Sequence, residues 1–138
     1  MIHLVHLESA AEAERLLRLL RNALNDESFA YRLKDAEAQG YKVVAAYSDD
    51  RMVGALGYRI TCDLFWGKTL YVDDLIVDPA HRAKGVGASL LTEVRQLATS
   101  SCDHLRLCSG LNRSDAHRFY ETNGMAKFSY QFIEALKG

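Results

Sequence analysis

Val77-Asp78-Pro79-Ala80-His81-Arg82-Ala83-Lys84-Gly85-Val86-Gly87-Ala88-Ser89-Leu90-Leu91 is the stretch on which the fold turns. It follows the strand-like run Tyr71–Val77, which Asp78-Pro79 stops because proline cannot donate to a ladder. Two glycines then open an apolar stripe of Val86, Leu90, Val94 and Leu97, which predicts a helix from Gly85 to about Thr99. The first amides of a helix have no internal partner and carry the positive end of its dipole. Gly85 and Gly87 let an anion reach that backbone, and Arg82 and Lys84 add positive charge beside it.

Outward from this loop, His104–Cys108 alternates as a strand, so Tyr71–Val77, the helix and His104–Cys108 predict a right-handed crossover between parallel strands. Upstream, Val43–Tyr47 and Met52–Ile60 flank the turn Asp49-Asp50 and read as a hairpin. Asp63–Lys68 reads as a loop. Ile2–Leu7 reads as a first strand. Ser9 and Glu12 form a capping box ahead of Ala13, Leu16, Leu17, Leu20 and Leu24 at helical spacing. Phe29–Gln39 predicts a second helix ended by Gly40. Downstream, Ser114–Thr122 predicts a short helix closed by Asn123-Gly124, and Phe128–Leu136 one or two closing strands. The order β-α-α-β-β-β-α-β-α-β predicts an α/β (α+β) fold: a mixed sheet with helices on both faces.

The chain of 138 residues reads as a single domain, 1–138, able to bury about two-thirds of its unfolded surface. A net charge of −1 argues against a nucleic-acid or membrane-surface binder. Three cysteines, Cys62, Cys102 and Cys108, show no C-x-x-C spacing, so neither a disulfide framework nor a metal site is expected. Reduced thiols suit a cytoplasmic protein. No basic, apolar leader follows Met1, and no apolar run approaches the ~18 residues of a membrane span.

Two familiar phosphate loops fail on residues. There is no G-K-[ST] after a longer glycine loop, as a Walker loop needs: Gly67-Lys68-Thr69 has Cys62 where the first glycine would stand, and the dinucleotide fingerprint would need glycine where Leu90 stands. The pattern R-x-x-G-x-G after a strand, with N-x-x-x-A-x-x-x-Y beginning thirty residues after Arg82, resembles the GCN5-related N-acetyltransferase (GNAT) family. The second half is Asn112-Arg113-Ser114-Asp115-Ala116-His117-Arg118-Phe119-Tyr120, followed by Glu121-Thr122-Asn123-Gly124. The resemblance covers Tyr71–Met125 closely, and also the order of elements. Ala83 stands where many members have glycine, and Met125 where phenylalanine is common.

The resemblance implies a mostly antiparallel twisted sheet in which the parallel strands Tyr71–Val77 and His104–Cys108 splay apart to admit acetyl-CoA. It implies that Leu75, Ile76 and Val77 pair with the pantetheine arm. Arg82, Ala83, Lys84, Gly85, Val86, Gly87 and Ala88 hold the pyrophosphate, and Asn112 contacts the cofactor arm. It further implies direct attack by a primary amine of a small molecule or peptide in a ternary complex. The charge developing on the carbonyl oxygen needs a donor, and the departing thiolate needs a proton, for which Tyr120 resembles the general acid. Asp73 resembles the acid that accepts the amine's proton through water; Asp74, adjacent on the strand, should face the opposite side. Dimers are common among such proteins, so a homodimer fits.

Plainer readings stand beside these. Gly85 and Gly87 suit a tight turn; Tyr120 suits a core aromatic; Asp73 and Asp74 suit a solvated strand or ion pairs. Phe65 and Trp66 read as an acceptor lid or as a core plug. His81 and His117 read as surface residues, Cys108 as a buried small hydrophobe, and Asp35 and Glu37 as helix surface. His3 and His6 suggest no metal. Asp63, Asp73 and Asp74 hint at a cationic acceptor. A non-catalytic acyl-CoA-binding module would keep Arg82–Ala88 but not need Tyr120, and a nucleotide-binding protein fails on the loop residues.

Overall fold

The computed structural model describes residues 1–137. The chain divides into two compact units, one from Met1 to Leu107 and one beginning at Cys108. The first holds a five-stranded sheet in the order β1-β2-β3-β4-β5. The strands are β1 Ile2–His6, β2 Lys42–Ser48, β3 Arg51–Asp63, β4 Gly67–Val77 and β5 His104–Leu107. The first four are antiparallel neighbours, and β5 runs parallel to β4. The expected mixed, mostly antiparallel sheet is therefore present.

Helices α1 (Glu14–Leu20) and α2 (Asp26–Ala38) cover one face. The capping box is formed: Ser9 Oγ accepts from the Ala11 amide, and Glu12 accepts from the Ser9 amide at 3.1 Å. The first turn, Ala10–Ala13, is 3₁₀ before the chain relaxes into α1. Ala13, Leu16 and Leu17 are buried with Phe29 of α2, and Val43, Ala55 and Ile76 of the sheet complete that core. Each large side chain buried there contributes roughly 1.5–3 kcal/mol. Asn25 caps α2 by accepting from the Ser28 amide at 2.8 Å, so the helix starts three residues before Phe29.

Helix α3 (Val86–Thr99) covers the opposite face. Gly54 makes the approach possible: a Cβ there would lie 2.7 Å from Val86 Cγ1 and 3.1 Å from Leu90 Cδ1. The buried stripe is Val86, Leu90, Leu91, Val94 and Ala98. Leu97, expected in it, is 40% exposed, because the stripe drifts to Ala98 in the last turn.

The hairpin β3–β4 is longer than its apolar runs suggested. Asp63 opposite Gly67 and Cys62 opposite Lys68 already pair, so half of the expected loop is strand. The pairing matters more here than the polar composition. The turn that remains is closed by Asp63, whose carboxylate accepts from the Trp66 amide at 2.7 Å.

The second unit holds α4, Ser114–Thr122. It ends in a Schellman motif: the Met125 amide bonds the Tyr120 carbonyl, the Gly124 amide bonds the Glu121 carbonyl, and Gly124 takes φ +91°. The closing strands expected over Phe128–Leu136 are not formed. Phe128, Tyr130, Phe132, Ile133 and Leu136 alternate roughly as a strand would, yet all are exposed. A period of two specifies a ribbon only when a neighbouring strand completes its ladder. Cys108 lies just past β5 and is exposed, not a buried mid-strand residue.

Candidate functional site

Strand β4 is paired on both sides only along part of its length. Against β5 the register runs from Thr69 opposite His104 to Val72 opposite Leu107, and there it stops. Against β3 the pairing continues to Val77 opposite Gly54. The β5-side edge from Asp73 to Val77 therefore has no strand partner among the described residues, and Leu75, Ile76 and Val77 lie on it. An extended ligand with amide groups can add to such an edge as a further strand does.

The open edge runs into the glycine loop. Asp78 ends the strand and turns the chain: its Oδ1 accepts from the Ala80 amide at 3.0 Å, with Pro79–His81 as one 3₁₀ turn. The residue is 7% exposed, and Arg15 and Arg51 reach its Oδ2 at 3.4 and 3.3 Å. The Ala80 amide, then the two guanidinium groups, hold it below the usual carboxylate range. Arg15 also donates to the Met52 carbonyl at 2.6 Å. The loop is thus fastened to α1 and to the start of β3.

Beyond the turn, Ala83 (φ +63°) and Gly85 (φ +81°) take the left-handed conformation. Glycine does so freely; alanine holds it against a cost of about 1–2 kcal/mol. Gly85 is the N-cap of α3 and supplies no side-chain acceptor. The first helical bond is from the Ser89 amide to the Gly85 carbonyl at 3.0 Å, so the amides of Val86, Gly87 and Ala88 have no partner within the helix. A Cβ on Gly85 would meet nothing within 4 Å, which leaves the approach open. Arg82 and Lys84 are exposed beside it, Arg82 donating weakly to the Val77 carbonyl at 3.4 Å. Free amides, a dipole and two cations suit a pyrophosphate, and the open edge suits an amide-bearing arm. These residues fit coenzyme A.

Next to this edge, on the α1–α2 face, lies a cleft of about 400 Å³. Asp73 and Asp74 both line it, against the expectation that neighbours on a strand face opposite sides. The cause is a register shift: Val72 opposes Tyr58 and Asp74 opposes Gly57, leaving Asp73 as the extra residue of a β-bulge. Arg59 grips Asp73 with two bonds, Nε to Oδ2 at 2.9 Å and Nη2 to Oδ1 at 2.8 Å. That pairing raises the guanidinium's pKa further. Arg21, at the end of α1, donates to Asp74 Oδ1 at 2.8 Å and to the Asp73 carbonyl at 2.9 Å. The Tyr41 hydroxyl donates to Asp74 Oδ2 at 2.6 Å. Burial, reinforced by that carboxylate, keeps Tyr41 protonated far above the ordinary tyrosine range. Arg21, Arg59 and Tyr41 belong to no motif, and only the fold brings them to the aspartates.

The aromatic pair is elsewhere. Trp66 stacks beneath the Arg106 guanidinium at 5.0 Å and edge-on to His104, while Phe65 is 73% exposed at the hairpin tip. Neither lines the cleft. Asp63 serves the hairpin turn. His81 lies 3.9 Å from Asp78, beside the loop.

In the second unit, Asn112 is exposed in the turn before α4. His117 is tied to the Gly110 carbonyl at 2.7 Å, a fixed structural contact. Tyr120 is half-buried beside Phe119, and burial raises its hydroxyl above the ordinary tyrosine value, opposed in part by Arg113. It is therefore protonated at neutral pH.

Among the described residues no group of three acidic, histidine or cysteine side chains is placed to hold a metal. No helix is long and apolar enough to cross a membrane.

Comparison with known proteins agrees with this geometry. The uncharacterized N-acetyltransferase YhdJ of Bacillus subtilis is 31% identical over 138 residues, covering 96% of this chain and 97% of that protein. An acetyltransferase from Trypanosoma brucei superposes with a TM-score of 0.78 at 23% identity, covering 99% of this chain and 100% of the other. AAC(6')-Iy, solved in complex with a coenzyme A bisubstrate analogue, superposes with a TM-score of 0.81 at 15% identity, covering 100% of this chain and 99% of the other. The model of the acetyltransferase (GNAT) family matches residues 8–125, which spans the open β4 edge, the glycine loop and α4 together, and the chain belongs to that family.

Proposed function

We propose that this protein transfers an acetyl group from acetyl-CoA to a primary amine of a small molecule or peptide, by direct attack within a ternary complex. The observation that carries the reading is the β4 edge left open beyond Val72, which leads straight into the uncapped N-terminus of α3. Leu75, Ile76 and Val77 would pair with the pantetheine amides. Arg82, Ala83, Lys84, Gly85, Val86, Gly87 and Ala88 would hold the pyrophosphate, and Asn112 would contact the arm. The bound group supplies an acetyl thioester.

The protein's residues supply the rest. An amide on the open edge donates to the carbonyl oxygen as charge develops there. Tyr120 gives its proton to the departing thiolate. Asp73 accepts the amine's proton through water: Arg59 occupies one lone pair on each oxygen, leaving others free. The three free cysteines fit a reducing compartment such as the cytoplasm.

The test is release of free coenzyme A from acetyl-CoA across a panel of amines. Amine-dependent release is expected. Tight coenzyme A binding with no turnover on any amine would favour a non-catalytic acyl-CoA-binding module instead.

A further inference from the structure

We infer that the cleft beneath α1 and α2 receives an acceptor that carries an anionic group, a carboxylate or a phosphate, on the same small molecule as its amine. This rests on the acetyltransferase reading and narrows it.

The acids in the cleft are Asp35, Asp73 and Asp74, and the cations are Arg21, Arg32 and Arg59. Formally these cancel, but they are not equally available. Both oxygens of Asp73 are engaged by Arg59, and both oxygens of Asp74 by Arg21 and Tyr41. The two aspartates that suggested a cationic acceptor are therefore already neutralised. Arg32 makes no ion pair or hydrogen bond among the described residues, so its whole fork is unspent. Arg21 and Arg59 each use Nε and Nη2, which leaves Nη1 to donate. Against these donors, Asp35, exposed on α2, is the one cleft carboxylate with no cation paired to it among the described residues.

A planar fork of donors with no partner matches carboxylate and phosphate oxygens. A polycation finds no net negative field here to repay its lost hydration. The chemistry points the same way. Only the neutral amine attacks, and guanidinium groups nearby disfavour the ammonium form. A cleft that binds the anion and leaves the amine uncharged serves both needs. Leu24, Phe29, Leu33 and Ala36 form an apolar wall for the carbon skeleton. The volume of about 400 Å³ suits a small molecule more than a folded protein segment.

The experiment compares matched acceptors with acetyl-CoA: leucine against leucinamide, phosphoethanolamine against ethanolamine, and spermidine. Each is run on the wild type and on Arg32→Gln. For at least one matched pair we expect kcat/KM about ten-fold higher for the anionic member, the scale of a charge-assisted pair. In Arg32→Gln that ratio should collapse, mainly through KM. Whether leucine or phosphoethanolamine leads identifies the source of the anion. Neutral members or spermidine turned over as well as the anionic ones would overturn the inference while leaving the transferase reading intact, and so would an undiminished ratio in Arg32→Gln. Binding of acetyl-CoA without turnover on any of the five would instead overturn the transferase reading, and this one with it.

Discussion

Gly57 and Tyr41 are complementary at the floor of the cleft: a Cβ on Gly57 would lie 1.9 Å from the Tyr41 hydroxyl oxygen. That hydroxyl is the group that donates to Asp74. The missing side chain on β3 is thus what lets a buried tyrosine fix a carboxylate on β4. Gly57→Ala should displace the ring, break the bond and cost about 1–3 kcal/mol, the usual range for overpacking a core. Urea unfolding measures it. A midpoint equal to that of the wild type would show that Tyr41 moves without penalty.

Asp78 makes a second link, between the glycine loop, α1 and β3. Its carboxyl is held below its ordinary value, chiefly by the Ala80 amide. Its contribution is therefore fully present above the unfolded carboxylate value, near pH 4. It is lost as pH falls from there through the lower folded value. Asp78→Asn can still accept from the Ala80 amide but loses the ion pairs to Arg15 and Arg51. Urea midpoints measured from pH 5 down to pH 2 should fall less steeply in that variant. Parallel curves would mean that Asp78 does not carry this acid sensitivity.

Ala83 is strained where glycine would not be. Ala83→Gly should preserve coenzyme A affinity. Ala83→Val should weaken it several-fold, because a β-branched residue resists positive φ more than alanine does. Equal dissociation constants for the three proteins would contradict the loop's role as a shaped cradle.

Tyr120→Phe should lower the rate of the chemical step at least ten-fold, and by up to the ~10²–10⁴-fold typical of general acid catalysis. Because burial raises the hydroxyl's pKa, the basic limb of the rate profile should lie above the ordinary tyrosine value near 10. Single-turnover rates that do not change on substitution would remove Tyr120 from that role.

The parts legible in the sequence were those written in local chemistry. The capping box at Ser9 and Glu12, the glycine at the start of α3 and the Asn123-Gly124 stop each depend on residues a few positions apart. Asn25 was readable in the same way, as an asparagine preceding two acids, and it moves the start of α2. What was not legible depends on partners distant in sequence. The bulge at Asp73 exists only in the pairing of β4 with β3 and reverses the facing that alternation predicts. Arg21 meets Asp74 across 53 positions, and no spacing rule reaches that far. The alternation at Phe128–Phe132 shows the converse: a strand's pattern without a strand.

In the proposed mechanism the open β4 edge and the N-terminus of α3 form one seat for acetyl-CoA. Calorimetric titration of acetyl-CoA into the wild type and into Gly87→Glu, with thermal unfolding of both proteins alongside, tests whether that seat exists. Saturable binding to the wild type and none to Gly87→Glu is expected, and the variant's unfolding transition should remain cooperative. Equal affinity in the two proteins would contradict it.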